Sequence, residues 1–343
     1  MTRRQIFLVL AALLGALALW TGAWFLAAGQ ARQAALRWIE AKRAQGYYVQ
    51  YTALAVAGFP FHLRLELADP EFGAGEGGED WLWRGGAVSV RIAPWSPHRL
   101  GVMAPGAHSL ALARRGTRAI YLLDAGWIDG TILLSADWDF ESVTASLREA
   151  EIGIAGRPER AQITGLDFEF RVPPQGGGGA PTAELSFSLD QLGLPDGLEA
   201  PFGGNIGKLQ ADLALMGRIP PGPLKDALED WRAQGGTVEV RSAALVWSEL
   251  SLEGDGSAAL DRALQPMGAF SVRFAGYAQA FDALVEAELV RPTAAATIKI
   301  LLNLISQPGP DGASRATIPL SVQDGEISIG PAILMALPRV RWE

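Results

Sequence analysis

Three histidines, His62, His98 and His108, are the only imidazoles in this 343-residue chain, and no cysteine accompanies them. A zinc site, a Ser–His nucleophile or an imidazole base would have to be built from that set. No two of the three stand at a metal-ligand spacing. His62 falls on the polar side of an alternating stretch beside Arg64 and Glu66, His98 follows Pro97 in an expected loop, and His108 precedes a strand. All three read as solvated or structural. Asp137, Asp139 and Glu141 alternate, so as a strand they share one face and would gather oxygens around a cation. They lack the glycine and the downstream bidentate glutamate of a calcium loop, and an exposed acidic stripe is expected.

The run Gly176 to Gly179 leads into Ala180 and Pro181, not into Lys-Ser/Thr and a helix. It therefore cannot cradle phosphate as a P-loop does. No serine sits in a Gly-x-Ser-x-Gly elbow. A pair of carboxylates for glycoside chemistry is a three-dimensional arrangement, and nothing in the sequence nominates one. The residues point away from an enzyme, with no cofactor and no metal expected.

Composition narrows the class further. The chain is 49% hydrophobic and 19% charged, which is globular, and long enough to bury a sizeable core. Its net charge of −8 argues against a nucleic-acid partner, which requires clustered positive charge. Arginine outnumbers lysine heavily, a sign of genome composition that makes arginine clusters less informative. The missing cysteines remove disulfides and thiolate chemistry and are compatible with an oxidising compartment.

The longest apolar stretch lies at the N-terminus. After Arg3 and Arg4 no charge occurs from Ile6 to Ala28, a span of roughly 34 Å as a helix against a hydrocarbon core of about 30 Å. Ile6, Leu10, Leu14 and Leu17 face lipid in this reading, and Trp20 and Trp24 stand one turn apart near the far end, where indoles favour the interface. Residues 1–29 are thus expected as a transmembrane anchor. A cleaved signal peptide, with Ala27-Ala28-Gly29 as its small residues, is the competing reading, but its apolar region should be only about 7–15 residues long. Arg32, Arg37, Lys42 and Arg43 follow the helix and blur the charge rule. The short charged tail ahead of it and the ease with which long domains are exported favour a cytoplasmic N-terminus and a periplasmic domain. Residues 30–46 continue the helical pattern as a stalk, with Gly46 as its C-cap.

Beyond Gly46 the period changes to two. Apolar and polar residues alternate from Phe61 to Leu67, from Leu166 to Val172 through Phe168 and Phe170, and through Leu185, Phe187 and Leu189. The alternation returns at Phe270, Val272 and Phe274 and from Ile318 to Val322. Such strands have one buried and one wet face, as in antiparallel sheet. Asp69-Pro70, Asp129-Gly130, Asp255-Gly256 and Asp324-Gly325 read as turns, and Gly73 to Asp80 and Pro173 to Pro181 as loops. Helices are expected at 223–234, 278–289 and 294–305. A Gly/Pro-rich stretch at 192–201 suggests two β-rich halves, 47–198 and 199–343. The expected class is mostly β: an anchor and stalk followed by antiparallel sheets, elongated or sandwich-like, with few helices.

Several separated motifs carry a resemblance. Gly58-Phe59-Pro60-Phe61, Ala200-Pro201-Phe202-Gly203-Gly204, Gly235 to Val240, Leu252 to Gly256, Pro319 to Gly325 and Gly330-Pro331 occur in this order. On these motifs the chain resembles the bacterial domain-of-unknown-function family 2125 over nearly everything after the stalk. The resemblance implies a membrane-tethered envelope protein and carries no activity and no functional residues with it. A looser, purely architectural likeness is to AsmA-like and TamB-like envelope proteins, which are associated with phospholipid movement between membranes.

The expectation that follows is an inner-membrane-anchored, non-enzymatic periplasmic protein. Its apolar strand faces, Phe168/Phe170, Leu185/Phe187/Leu189 and Phe270/Val272/Phe274, either close as a core or line a groove for membrane lipid. A scaffold for another envelope protein and an envelope hydrolase are the alternatives.

Overall fold

A computed structural model describes residues 3–75, 80–114, 117–174, 179–198, 200–308, 314–330 and 332–342. The inner parts of the two expected loops, 76–79 and 175–178, lie outside the described residues, as does Pro331 of the last motif. The chain divides into two compact units, Met1–Phe140 with Ile152–Pro158, and Glu141–Glu151 with Glu159–Glu343.

The first unit begins with α1 (Arg3–Ala44), one uninterrupted helix that is long and apolar enough to cross a membrane. It ends as Gly46 adopts φ +88° and the Tyr47 N–H donates to the Lys42 carbonyl, a left-handed stop that glycine allows at little cost. The expected stalk is no free-standing segment. Ile39 is buried, Trp38 stacks on Phe72, and Arg43 donates through Nε and Nη2 to the Val49 carbonyl.

Among the described residues nine strands follow: β1 (Tyr48–Gln50), β2 (Ala53–Ala57), β3 (Leu63–Ala68), β4 (Glu71–Ala74), β5 (Trp81–Gly85), β6 (Ala87–Ala93), β7 (Ser96–Met103), β8 (Gly106–Arg114) and β9 (Thr117–Leu134). Their antiparallel order is β1-β4-β5-β8-β9-β7-β6-β3-β2. Asp129-Gly130 is therefore not a turn. It lies inside β9, opposite Met103 and Val102 of β7, where the ladder overrides the local preference. The alternation expected from Phe61 becomes strand only at Leu63, since Pro60 has no N–H to offer a ladder; Phe61 and His62 sit in the turn between β2 and β3.

The second unit takes Glu141–Glu151 of β10 (Phe140–Ile154), then β11 (Arg160–Arg171), β12 (Ala183–Gly193), β13 (Asn205–Met216), β14 (Thr237–Trp247), β15 (Leu250–Leu260) and β16 (Pro266–Ala275). Short β17 (Gln307–Pro308), β18 (Ser314–Gln323), β19 (Glu326–Ile329) and β20 (Ala332–Ala336) complete it. From β11 to β16 each strand pairs antiparallel with the next, and β16 continues onto β18, β19 and β20. The helices fall where the 3.6-residue period places them: α2 (Leu224–Ala233), α3 (Tyr277–Glu286) and α4 (Pro292–Ile305).

Two expectations change here. The stretch at 192–201 is no boundary between halves but part of the connection joining β12 to β13, whose ladder runs out to Leu192↔Ile206 and Gly193↔Asn205. Asp255-Gly256 is no turn either: both residues lie mid-strand in β15, opposite Ser271 and Phe270.

Candidate functional site

Strand register places the apolar residues of the second unit in three rows that cross the strands. One row reads Leu185, Leu213, Val240, Gly256, Phe270 and Leu320 from β12 to β18; the next reads Phe187, Ala211, Ala243, Gly254, Val272 and Ile318. The third reads Leu189, Leu209, Leu245, Leu252, Phe274 and Ala316. On the β11 side Phe170, Phe168 and Leu166 extend them in the same sequence. All eight residues singled out from the alternation, Phe168, Phe170, Leu185, Phe187, Leu189, Phe270, Val272 and Phe274, thus share one face.

Alternation alone would lose this phase at β14. Arg241 has no partner on β13, so the register jumps from Asp212↔Ser242 to Leu213↔Val240. This bulge keeps Val240 and Ala243, three residues apart, on the apolar side and leaves Arg241 beside Glu184, 2.8 Å away, on the polar side. The glycines of β15 also act on this face. A Cβ on Gly256 would lie 2.4 Å from the Ala269 carbonyl oxygen and 2.6 Å from the Phe270 ring, so its absence lets the β16 backbone approach and makes room for that ring.

Among the described residues, helices cover this face only at its rims. Trp231 and Leu228 of α2 close the end at Leu215, Val238 and Leu260. Helices α3 and α4 bury Ala316 and Ile318 in a core centred on Ile298 and Leu302, with Val272 and Phe274 packed at its margin. Those two expected groove residues therefore belong partly to a closed core. Between the rims the face is open: Phe187, Leu209, Leu213, Val240, Leu245, Leu252 and Phe270 are half-buried, and Phe168 is 37% exposed. An apolar trough of about 390 Å³ lies here, lined by β12 to β16 and β18, within the usual range of roughly 300–1,000 Å³ for ligand sites.

The opposite face is laced with charge pairs. Arg148 of β10 donates to both Asp167 oxygens and Ser146 to one of them, while Arg273 pairs with Glu253 at 2.8 Å. Partial burial would raise the Asp167 pKa, but the hydrogen bonds from Ser146 and Arg148 and the Arg148 charge outweigh it and hold the carboxyl below its ordinary value. Asp212 is lowered too, chiefly by hydrogen bonds from Ser242 and Ser186. A carboxyl whose folded pKa is depressed stabilises the fold above its unfolded pKa of about 3.9, and that contribution fades as pH falls through the folded value. Asp212→Asn should therefore lower the urea midpoint at pH 7, and the gap to wild type should close as the titration is carried below pH ~4. A gap that stays constant to the lowest pH would refute the carboxylate's part.

The histidines do not converge. His62 lies in the β2–β3 turn rather than on a strand. His98 is in β7, not a loop, with its ring 4.5 Å from that of Trp138. His108 is inside β8, buried, stacked on Trp83, with Nε2 2.7 Å from the Ala104 carbonyl. Asp137 and Asp139 sit not on a strand but in the turn after β9, where both backbone N–H groups donate to Ser135 Oγ. Among the described residues no cluster of His, Asp or Glu is arranged to hold a metal ion.

Residues 24–338 match the profile of a family described as an uncharacterized protein conserved in bacteria (DUF2125). The chain belongs to that family. The DUF2125 match begins at Trp24, inside α1, and runs through both units. No curated protein and no solved structure matches the chain. The likeness to AsmA-like and TamB-like proteins gains no support from these comparisons.

Proposed function

We propose that this DUF2125 chain is a single-pass, inner-membrane-anchored envelope protein that holds the acyl portion of a membrane lipid in the apolar trough of its second unit, without catalysing a reaction. The supporting observation is the set of three registered apolar rows left half-exposed between helical rims. A face of this kind is costly in water unless something occupies it. Counting β12 to β16 and β18, five spacings of ~4.8 Å, gives a trough about 24 Å across, room for an acyl chain from one leaflet of a hydrocarbon core about 30 Å thick. In this reading the N-terminus is cytoplasmic and the strands of both units are periplasmic. The net charge of −8 argues against nucleic acid as a partner.

A second reading, docking of another envelope protein, draws on the outer face of α4, where Ile300 and Leu304 are strongly exposed.

Mass spectrometry of chain extracted in mild detergent tests the first reading. Phospholipid should co-purify stoichiometrically after exhaustive washing. Lipid-free protein in which the trough residues still react readily with aqueous probes would overturn it.

A further inference from the structure

We propose that the β2–β3 turn, Gly58 to His62, is a second membrane contact: an interfacial collar that inserts Phe59 and Phe61 into the outer leaflet beside α1. This inference rests on the reading of α1 as a membrane span.

The turn descends along the helix. Leu63 and Val56 pack on Ala27, Ala28 and Ala31, while one turn lower Trp24 Nε1 donates to the His62 carbonyl at 3.1 Å. Lower again, Trp20 Nε1 donates to the Pro60 carbonyl at 3.0 Å. If the hydrocarbon begins at Ile6, about 20 residues at ~1.5 Å each fill its ~30 Å and end near Phe25. Trp20 then lies about 8 Å inside that boundary, the depth at which interfacial segments sit.

The chemistry of the turn suits that depth. Its outward side chains are aromatic: Phe61 is 66% exposed and Phe59 48%. Phe59 meets Trp24 edge-on at 5.4 Å and lies over Phe25 at 6.2 Å, so the exposed apolar surface runs unbroken from the helix onto the turn. Irregular backbone is tolerated in lipid only when its polar groups are satisfied by protein. The two indoles meet part of this need at the Pro60 and His62 carbonyls, the His62 N–H bonds the Gly58 carbonyl at 3.1 Å, and Pro60 has no N–H to satisfy. A turn built for water would not need tryptophan donors on its carbonyls or phenylalanines at its tip.

The absence of cysteine makes the test direct. Single-cysteine versions of the full-length chain, Phe59→Cys, Phe61→Cys, Leu13→Cys in the helix and Ala53→Cys at the far end of β2, are labelled with a polarity-sensitive fluorophore. Each is reconstituted in phosphatidylcholine–phosphatidylglycerol vesicles. Probes at 59 and 61 should emit to the blue of the probe at 53 and lose their fluorescence to lipid carrying a shallow nitroxide, but not to aqueous iodide. The Leu13 probe should be quenched by lipid carrying a deep nitroxide. If 59 and 61 are quenched by iodide alone while Leu13 responds to lipid, the collar is refuted and the anchor stands. If Leu13 too answers only to iodide, the anchor falls and the collar with it. Both phenylalanines are exposed, so neither substitution opens a buried cavity; Phe59→Cys also removes the ring contacts with Trp24 and Phe25, which Phe61→Cys leaves in place, so the two positions report independently.

Discussion

Replacing Phe187 by aspartate should abolish lipid co-purification while leaving circular dichroism and the unfolding transition close to wild type; replacing Ile318 by aspartate should leave no folded second unit to purify. Both residues belong to the same cross-strand row and differ in what covers them. Ile318 is 2% exposed beneath α4, among Ile298 and Leu302. A charge forced into that site has no partner, and removing it from water costs several kcal/mol against a total stability of about 5–15 kcal/mol. Phe187 lines the open trough and keeps contact with solvent, so a carboxylate there remains hydrated in the empty protein. What it destroys is the apolar lining, because an acyl chain would have to desolvate the new charge. Leu209→Asp and Leu245→Asp, on the same open stretch, should behave as Phe187→Asp does. If all three unfold the chain as Ile318→Asp does, the face is a closed core and the trough holds nothing.

Trp231→Ala should be the most destabilising single truncation in the helical rims. Trp231 is buried against Leu228 and Leu264, and its Nε1 donates to the Met216 carbonyl at 2.9 Å, tying α2 to the end of β13. Removing a buried indole typically costs about 3–5 kcal/mol, here a fall in Tm on the order of 10 °C. The partner of this indole is a missing side chain. A Cβ on Gly236 would lie 2.2 Å from Trp231 Cε2, so Gly236→Ala should destabilise the wild type and be nearly neutral in a Trp231→Ala background. Additive losses in that double-mutant cycle, read by chemical denaturation, would show that the two positions do not share the space.

Periodicity carried most of what could be read in advance. The alternation at 166–172, 185–190 and 270–274 became β11, β12 and β16, and the eight residues it pointed to came out on one face. The helical stripes at 223–234, 278–289 and 294–305 became α2, α3 and α4. These signals are local, so they survive without knowledge of partners. Turn dipeptides fared unevenly for the same reason. Asp69-Pro70 and Asp324-Gly325 do separate strands, whereas Asp129-Gly130 and Asp255-Gly256 are held extended by neighbours distant in sequence. In Gly256 the glycine serves the close approach of Ala269 and Phe270, residues on another strand, and nothing near it in sequence says so.

The trough itself was legible as a set of faces but not as an open site. Whether an apolar face is covered depends on where α2, α3 and α4 fold back, and they reach only its margins. That is why Val272 and Phe274 slide into the core while Phe168 does not. The tip of the β2–β3 turn was hidden by its own alternation. Phe61, His62 and Leu63 carry the pattern of a strand, and only the contacts to Trp20 and Trp24 reveal a turn lying along the helix.

The rows of the trough run across strands rather than along them, and on the proposed lipid-holding function this sets how such a protein could change the length of what it accommodates. Lengthening every strand would only widen the channel. Inserting one more hairpin between β12 and β15, patterned with two to three apolar residues per strand, would lengthen it by about 9.6 Å at ~4.8 Å per strand and leave its cross-section untouched. On that reading the trough would be a ruler graduated in hairpins. On the proposed function, a chain with one hairpin more or fewer should prefer acyl tails longer or shorter by the corresponding step. The rim formed by α2, which packs on Leu215, Val238 and Leu260 of β13, β14 and β15, would have to be rebuilt around the insertion, whereas the α3–α4 rim on β16 and β18 would not.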